Sequence, residues 1–148
     1  MTHIIRPSVP KVVRRAFDAF SANDAVSVGE AFEQNAMLIT HIDPALLAKI
    51  GLPADDAPVK VRGNLDISML FAQEFETLQI SHVEVHTELR VGRQLAALCD
   101  FDAKISATGE SVSGRCFGIY TMNAHGRRIV KAQTVCKLIT PGWNFKFN

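Results

Sequence analysis

His41 and Asp43 stand two residues apart at the end of the run Met37-Leu-Ile-Thr-His-Ile-Asp43. In an extended strand, residues two apart point the same way, so an imidazole and a carboxylate would share one face. Such a pair can move a proton. A carboxylate desolvated in an apolar pocket has its pKa raised toward neutrality, and the histidine could orient it or serve as the partner acid or base. Pro44 offers Asp43 a competing role, because Asp-Pro followed by Ala45-Leu-Leu-Ala-Lys-Ile-Gly51 matches an N-cap, a first-turn proline and a glycine past the helix end. A capping carboxylate is consumed by backbone N–H groups. His41 likewise has a structural alternative as a satisfied core or rim histidine.

A second set of chemical residues alternates with apolar ones in His82-Val-Glu84-Val-His86-Thr-Glu88, and again where Asp100 and Asp102 are interleaved with Cys99, Phe101 and Ala103. If Arg90 pairs with Gln94 across the turn Val91-Gly92-Arg93, then Glu84 faces Asp100 and His82 faces Asp102. Two histidines and three carboxylates could coordinate a metal. The same alternation also describes the solvated or partner-facing side of a one-sided sheet. A different register would turn Asp100 or Asp102 inward. No phosphate loop, dinucleotide fingerprint or nucleophile elbow is present, so cofactor-free chemistry is expected. Cys99, Cys116 and Cys136 are odd in number and widely spaced, which suggests buried thiols in a reducing compartment rather than a disulfide framework or a zinc site.

These residues must be positioned by elements that the pattern makes legible. After Ser8, the residues Val13, Ala16, Phe17 and Phe20 recur at helical spacing, which predicts an amphipathic first helix ending near Ala22-Asn23. Ser27 and Glu30 have the spacing of a capping box, which starts a short second helix at Ser27. Ala36 to Ile42 reads as a strand, Pro44 to Ile50 as a two-turn helix, Leu52 to Pro58 as a loop, and Val59 to Val61 as a short strand. Gly63-Asn64 opens the longest helix, with Ile67, Leu70, Phe71, Phe75 and Leu78 as one apolar stripe. Four long strands follow, roughly Ile80 to Arg90, Gln94 to Ser106, Ser111 to Met122 and Ile129 to Ile139. Their length implies a bent or coiled sheet. Gly114 and Gly118 within a strand suggest bends or bulges. The tail from Pro141 to Asn148 alternates aromatic and polar residues and reads as an edge strand or an arm onto a partner.

The chain has 148 residues, enough for one domain over residues 1–148, since a domain of about this size buries roughly 70% of its unfolded surface. A net charge of +1 leaves no footprint for nucleic acid or an anionic membrane. Neither the N-terminal residues nor any later apolar run has the length of a signal peptide core or a membrane span, so a cytoplasmic protein is expected.

In element order the chain resembles the nuclear transport factor 2-like superfamily, which includes SnoaL-like and ketosteroid-isomerase-like proteins. Val13-Arg-Arg-Ala-Phe-Asp-Ala-Phe-Ser-Ala-Asn-Asp24 is similar to that family's first helix and its exit. Val61-Arg-Gly-Asn-Leu-Asp-Ile67 is similar to its entry into the long helix, and Met122-Asn-Ala-His-Gly-Arg-Arg-Ile129 to its last hairpin. The resemblance implies an α+β fold, a cone-shaped, curved, mostly antiparallel sheet wrapped around about three helices. It further implies a pocket at the open end and, frequently, a homodimer formed through the sheet.

Ketosteroid isomerase carries its proton-shuttling aspartate just after the first strand, a context similar to Asp43-Pro44. Its oxyanion-donating tyrosine would fall at Ala16 and its protonated aspartate near Arg115, so the resemblance does not extend to those donors; an arginine there would instead bind a carboxylate or phenolate. Epoxide-hydrolase and cyclase relatives use an aspartate on the strand that carries Asp102, which makes Asp102 a secondary candidate. Phe17, Phe71, Phe75 and Phe117 are candidates for lining the pocket around a compact apolar or aromatic molecule. The expected function is cofactor-free isomerisation, dehydration or cyclisation by proton transfer, with a non-catalytic ligand-binding or dimerisation module as the alternative.

Overall fold

The computed structural model describes residues 10–55 and 57–139. The segment around Ser8 and the tail from Pro141 to Asn148 lie outside these. Ten elements follow in order: α1 (Lys11–Ser21), α2 (Ala25–Glu30), β1 (Phe32–Ile42), α3 (Pro44–Lys49), β2 (Val59–Arg62), α4 (Asn64–Thr77), β3 (Leu78–Val91), β4 (Gln94–Ile105), β5 (Ser111–Met122) and β6 (Ile129–Ile139). The six strands form one open sheet in the order β2-β1-β6-β5-β4-β3. Every neighbouring pair is antiparallel except β1 with β6, which is parallel. This is the expected cone architecture, with four helices among the described residues where about three were implied.

Local chemistry explains most boundaries. Asp24 caps α2 by accepting from the Ser27 N–H at 3.1 Å, so the helix begins two residues before the Ser27 start that the capping-box spacing suggested. Asn23 adopts the left-handed conformation (φ 57°) at the exit of α1. From there its amide both donates to the Ile80 carbonyl and accepts from the Ile80 N–H, each at 2.8 Å, so the end of α1 is pinned to the start of β3 as if by one more ladder pair. β1 starts at Phe32, four residues before the expected Ala36, because its first turn of chain joins β6 through an irregular stretch between Phe32 and Met37.

The β3–β4 register places His82 opposite Asp102 and Glu84 opposite Asp100, as expected. The route to it differs. The hairpin loop is two residues, Gly92 and Arg93, with Val91 paired to Gln94 and Gly92 in the left-handed conformation that such tight turns require. A register shift between Val85 and Thr87 makes His86 the extra residue and restores the pairing further along.

One sheet face is covered by α1 and α4 and holds the core, including Leu38, Leu95, Phe101, Ile105, Met122 and Ile129. The opposite face carries the polar partners of β3, β4 and β5. Among the described residues, no helix is long and apolar enough to cross a membrane.

Candidate functional site

Strand alternation on the helix-covered face builds three neighbouring rows across the sheet. Leu38, Ala132, Tyr120 and Leu95 are aligned in the first, Thr40, Thr134, Gly118 and Ala97 in the second, and Ile42, Cys136, Cys116 and Cys99 in the third. α1 lays Ala16, Phe17 and Phe20 over these rows, α4 contributes Leu70, Phe71 and Glu74, and α3 adds Leu46. Between them lies a cavity of about 100 Å³. Engineered cavities of ~150 Å³ admit benzene, so the space is somewhat smaller than a full single-ring site, and it is partly open on one side.

The cavity is apolar apart from a few groups. Thr134 donates its hydroxyl to the Thr40 oxygen at 2.8 Å, which ties β6 to β1 inside the wall. Tyr120 packs its ring edge-on against Phe17, with centroids 5.7 Å apart. Its ring lies back over Gly118, where a Cβ would come within 2.7 Å of the phenol oxygen. Burial raises the Tyr120 pKa well above the usual phenol range, with the neighbouring Cys99 adding to it, so the hydroxyl stays protonated.

Among the described residues, Glu74 is the single acid or base of the aspartate, glutamate, histidine, lysine and arginine types on the lining. Burial alone pushes its pKa up to about 7, with no hydrogen bond or charge opposing the shift.

The sequence contained a signal for Glu74. Positions 67, 70, 71, 74, 75 and 78 follow the 3-1-3-1-3 spacing of one helix face, and a glutamate interrupts an otherwise apolar stripe there. Tyr120 shares the inward phase of Val112, Cys116 and Met122 on β5.

The expected site residues fall in several places. Asp43 is a cap. Its Oδ1 accepts from the Ala45 N–H at 3.0 Å, and its Oδ2 accepts from the Leu138 N–H at 2.9 Å, while its own N–H donates to the Cys136 carbonyl at 2.9 Å. The carboxylate thus continues the β1–β6 ladder where the backbone turns into α3, and it lies outside the cavity lining. His41 is half-buried and also absent from the lining, because Thr40 and Ile42 hold the inward phase on either side of it.

Asp100, Asp102 and Arg115 are on the outer face. Arg115 donates to Asp100 through Nε at 2.6 Å and another guanidinium nitrogen at 3.0 Å, and His86 Nε2 is 2.6 Å from the same carboxylate. The Arg115 hydrogen bond, with help from His86, holds the Asp100 carboxyl below the usual range. Asp102 is exposed and accepts from the Ser113 hydroxyl at 2.6 Å. Among the described residues, no group of three or more histidine, cysteine, aspartate or glutamate side chains is placed to hold a metal ion.

Of the aromatic candidates, Phe17 and Phe71 line the cavity, whereas Phe75 is buried behind it against Phe20 and Phe71. Phe117 is on the outer face and 45% exposed. The expectation of three buried thiols is corrected as well. Cys116 and Cys136 form a disulfide across β5 and β6, and Cys99 alone is free. Wide sequence spacing concealed a pair that the register places directly opposite.

No family model matches the chain, and no curated protein matches it in sequence. Solved structures do match in fold. A hypothetical protein with a ketosteroid isomerase-like fold from Catenulispora acidiphila DSM 44928, in complex with trimethylamine, superposes with a TM-score of 0.66 at 14% identity, covering 86% of this chain and 85% of that one. An NTF2-like protein of unknown function from Burkholderia pseudomallei K96243 gives 0.61 at 18% identity, covering 84% and 86%. A LEH-like epoxide hydrolase from M. tuberculosis gives 0.61 at 15% identity, covering 86% and 80%. The chain has the nuclear transport factor 2-like cone fold.

Proposed function

We propose that the cavity binds a compact, mainly apolar or aromatic molecule and that Glu74 exchanges a proton with it, without a cofactor. The observation that carries this reading is a lone carboxyl in a ring-lined cavity with a pKa of about 7. Such a group is present in both protonation states at neutral pH, where general acid–base catalysis is most effective. Glu74 takes the role that the residue pattern suggested for Asp43.

The protonated Tyr120 hydroxyl is suited to donate to a substrate oxygen that gains charge during the transfer. It supplies from β5 the kind of group that is missing at Ala16, which lines the same cavity. The fold itself does not choose among isomerisation, dehydration and cyclisation, because similar folds carry several chemistries.

The binding-module alternative anticipates a closed or wholly apolar cavity with His41 and Asp43 pointing away from it; both residues lie outside the lining, and Glu74 and Tyr120 are what favour the proton-transfer reading over it. A panel of small enolisable ketones, phenols and tertiary amines, followed by NMR for binding and for solvent-deuterium exchange at carbon, tests the proposal. Wild type should exchange deuterium into at least one bound compound, and Glu74→Gln should slow this by on the order of 10² to 10⁴. Binding without exchange, equal in both proteins, would establish the non-catalytic module.

The outer face supports a partner reading. Phe117 and Val135 are paired across β5 and β6 and are 45% and 41% exposed. We propose that two copies of the chain meet there.

A further inference from the structure

The chain contains three cysteines, and the fold aligns all of them. Cys99 on β4 is opposite Cys116 on β5, and Cys116 is opposite Cys136 on β6. Each lines the cavity. Cys116 and Cys136 are bonded to each other, while the Cys99 thiol is free and buried. A free thiol is therefore held opposite one sulfur of a disulfide, and both border the same cavity. Glu74 has no part in the steps that follow.

We propose that this wall of the cavity is a thiol–disulfide exchange site for compact apolar thiols, at which Cys116 trades its bond to Cys136 for one to Cys99. In the first step the sulfur of the incoming thiolate attacks Cys116 Sγ. The Cys116–Cys136 bond breaks, Cys136 leaves as a thiolate, and it takes up the proton that the incoming thiol released. In the second step the Cys99 thiolate attacks Cys116 Sγ, and the small molecule departs as a thiolate that recovers the proton lost by Cys99. No net oxidation or reduction occurs. The disulfide has moved one strand along and the small thiol is regenerated.

The cavity selects the thiol. About 100 Å³ of partly open space, walled by aromatic rings and, among the described residues, offering no lysine, arginine or histidine, suits a small uncharged thiol that can project through the opening and disfavours a charged peptide thiol. The second step is the slow one at neutral pH. Burial, and secondarily the charge of Asp100, push the Cys99 thiol up to about 11, which leaves a thiolate fraction on the order of 10⁻⁴ at pH 7. The titratable groups around it are Asp100, next in its own strand with its carboxylate on the outer face, Tyr120 from β5, and Glu74 from α4. α1 contributes only apolar side chains to this wall.

The test uses the full chain, purified without reductant and incubated with benzyl mercaptan or with glutathione at equal concentration. Intact-mass spectrometry and non-reducing peptide mapping provide the readout. At pH 7 benzyl mercaptan should add one equivalent at Cys116, about tenfold or more faster than glutathione. Raising the pH to 9 should convert the wild-type adduct into a Cys99–Cys116 disulfide with release of the thiol. Cys99→Ser should form the same adduct and keep it, and the wild-type map at pH 9 decides the question if that variant does not fold. Three free thiols in the untreated protein, equal rates for the two probes, an adduct on Cys136 alone, or no Cys99–Cys116 peptide at pH 9 would each overturn the proposal.

Discussion

Glu74 stays neutral in the folded protein over a pH range in which a solvated glutamate is already charged. The direction of the resulting pH dependence is fixed. Between its ordinary value of 4.5 and about 7, the folded state binds more protons than the unfolded one, so stability falls as pH rises through that window and levels off above it. The whole interval corresponds to roughly 3 kcal/mol. Glu74→Gln should therefore raise the melting temperature by several degrees at pH 8 and leave it nearly unchanged at pH 4, as read by calorimetry.

Asp43→Ala should act in the opposite sense. It removes a cap and a strand-to-strand hydrogen bond together, so a loss of about 2 kcal/mol in urea denaturation is expected, with ligand binding in the cavity unaltered. At this scale the sequence was partly legible. The Asp-Pro helix start was readable because capping is local, whereas its second bond, to Leu138, joins residues 95 positions apart. Glu74 stood in phase with the apolar stripe, yet only its tertiary surroundings make that carboxyl costly to ionise.

The strand β5 shows how an element can be read correctly while its details are not. Gly114 and Gly118 were expected to mark bends or bulges, but the β4–β5 register runs through both without a shift. Each glycine instead clears space for a ring, Phe101 over Gly114 and Tyr120 over Gly118. Which ring folds onto which glycine depends on the helices above, and a strand pattern cannot report that. Gly118→Ala should push Tyr120 out of its resting place. We expect a stability loss of about 1 to 2 kcal/mol from overpacking, and a larger proportional loss of ligand affinity by calorimetric titration. The β3–β4 hairpin teaches a related lesson, since the expected pairing was reached through a shorter turn and a bulge at His86 that offset each other.

For the whole molecule, element order was the strongest information in the sequence, because hydrophobic period and turn residues are set locally and their succession constrains the fold. The cavity was not legible in the same way. It draws on α1, α2, α3, α4, β1, β4, β5 and β6, and no window of sequence contains more than a fragment of it. The outer face carries a testable consequence at this scale. Phe117→Glu should shift the protein from dimer to monomer in light scattering coupled to size exclusion, with little change in ligand binding. A monomeric wild type would remove the dimer proposal.

The parallel pairing of β1 with β6 joins residues 37–42 to residues 131–136, so that Thr40 meets Thr134 across a separation of 94 positions. During synthesis, β1 emerges long before its inner neighbour exists and must wait with one edge open. The Thr40–Thr134 bond and the aligned rows of the cavity wall can form only when that last strand slots between β1 and β5. Closing so long a loop is entropically slow, so the cavity should be among the last features to mature. A nascent chain halted before Ile129 would hold its helices and the β3–β4 hairpin but no cavity, and its unpaired β1 edge would be a natural point of capture by another strand.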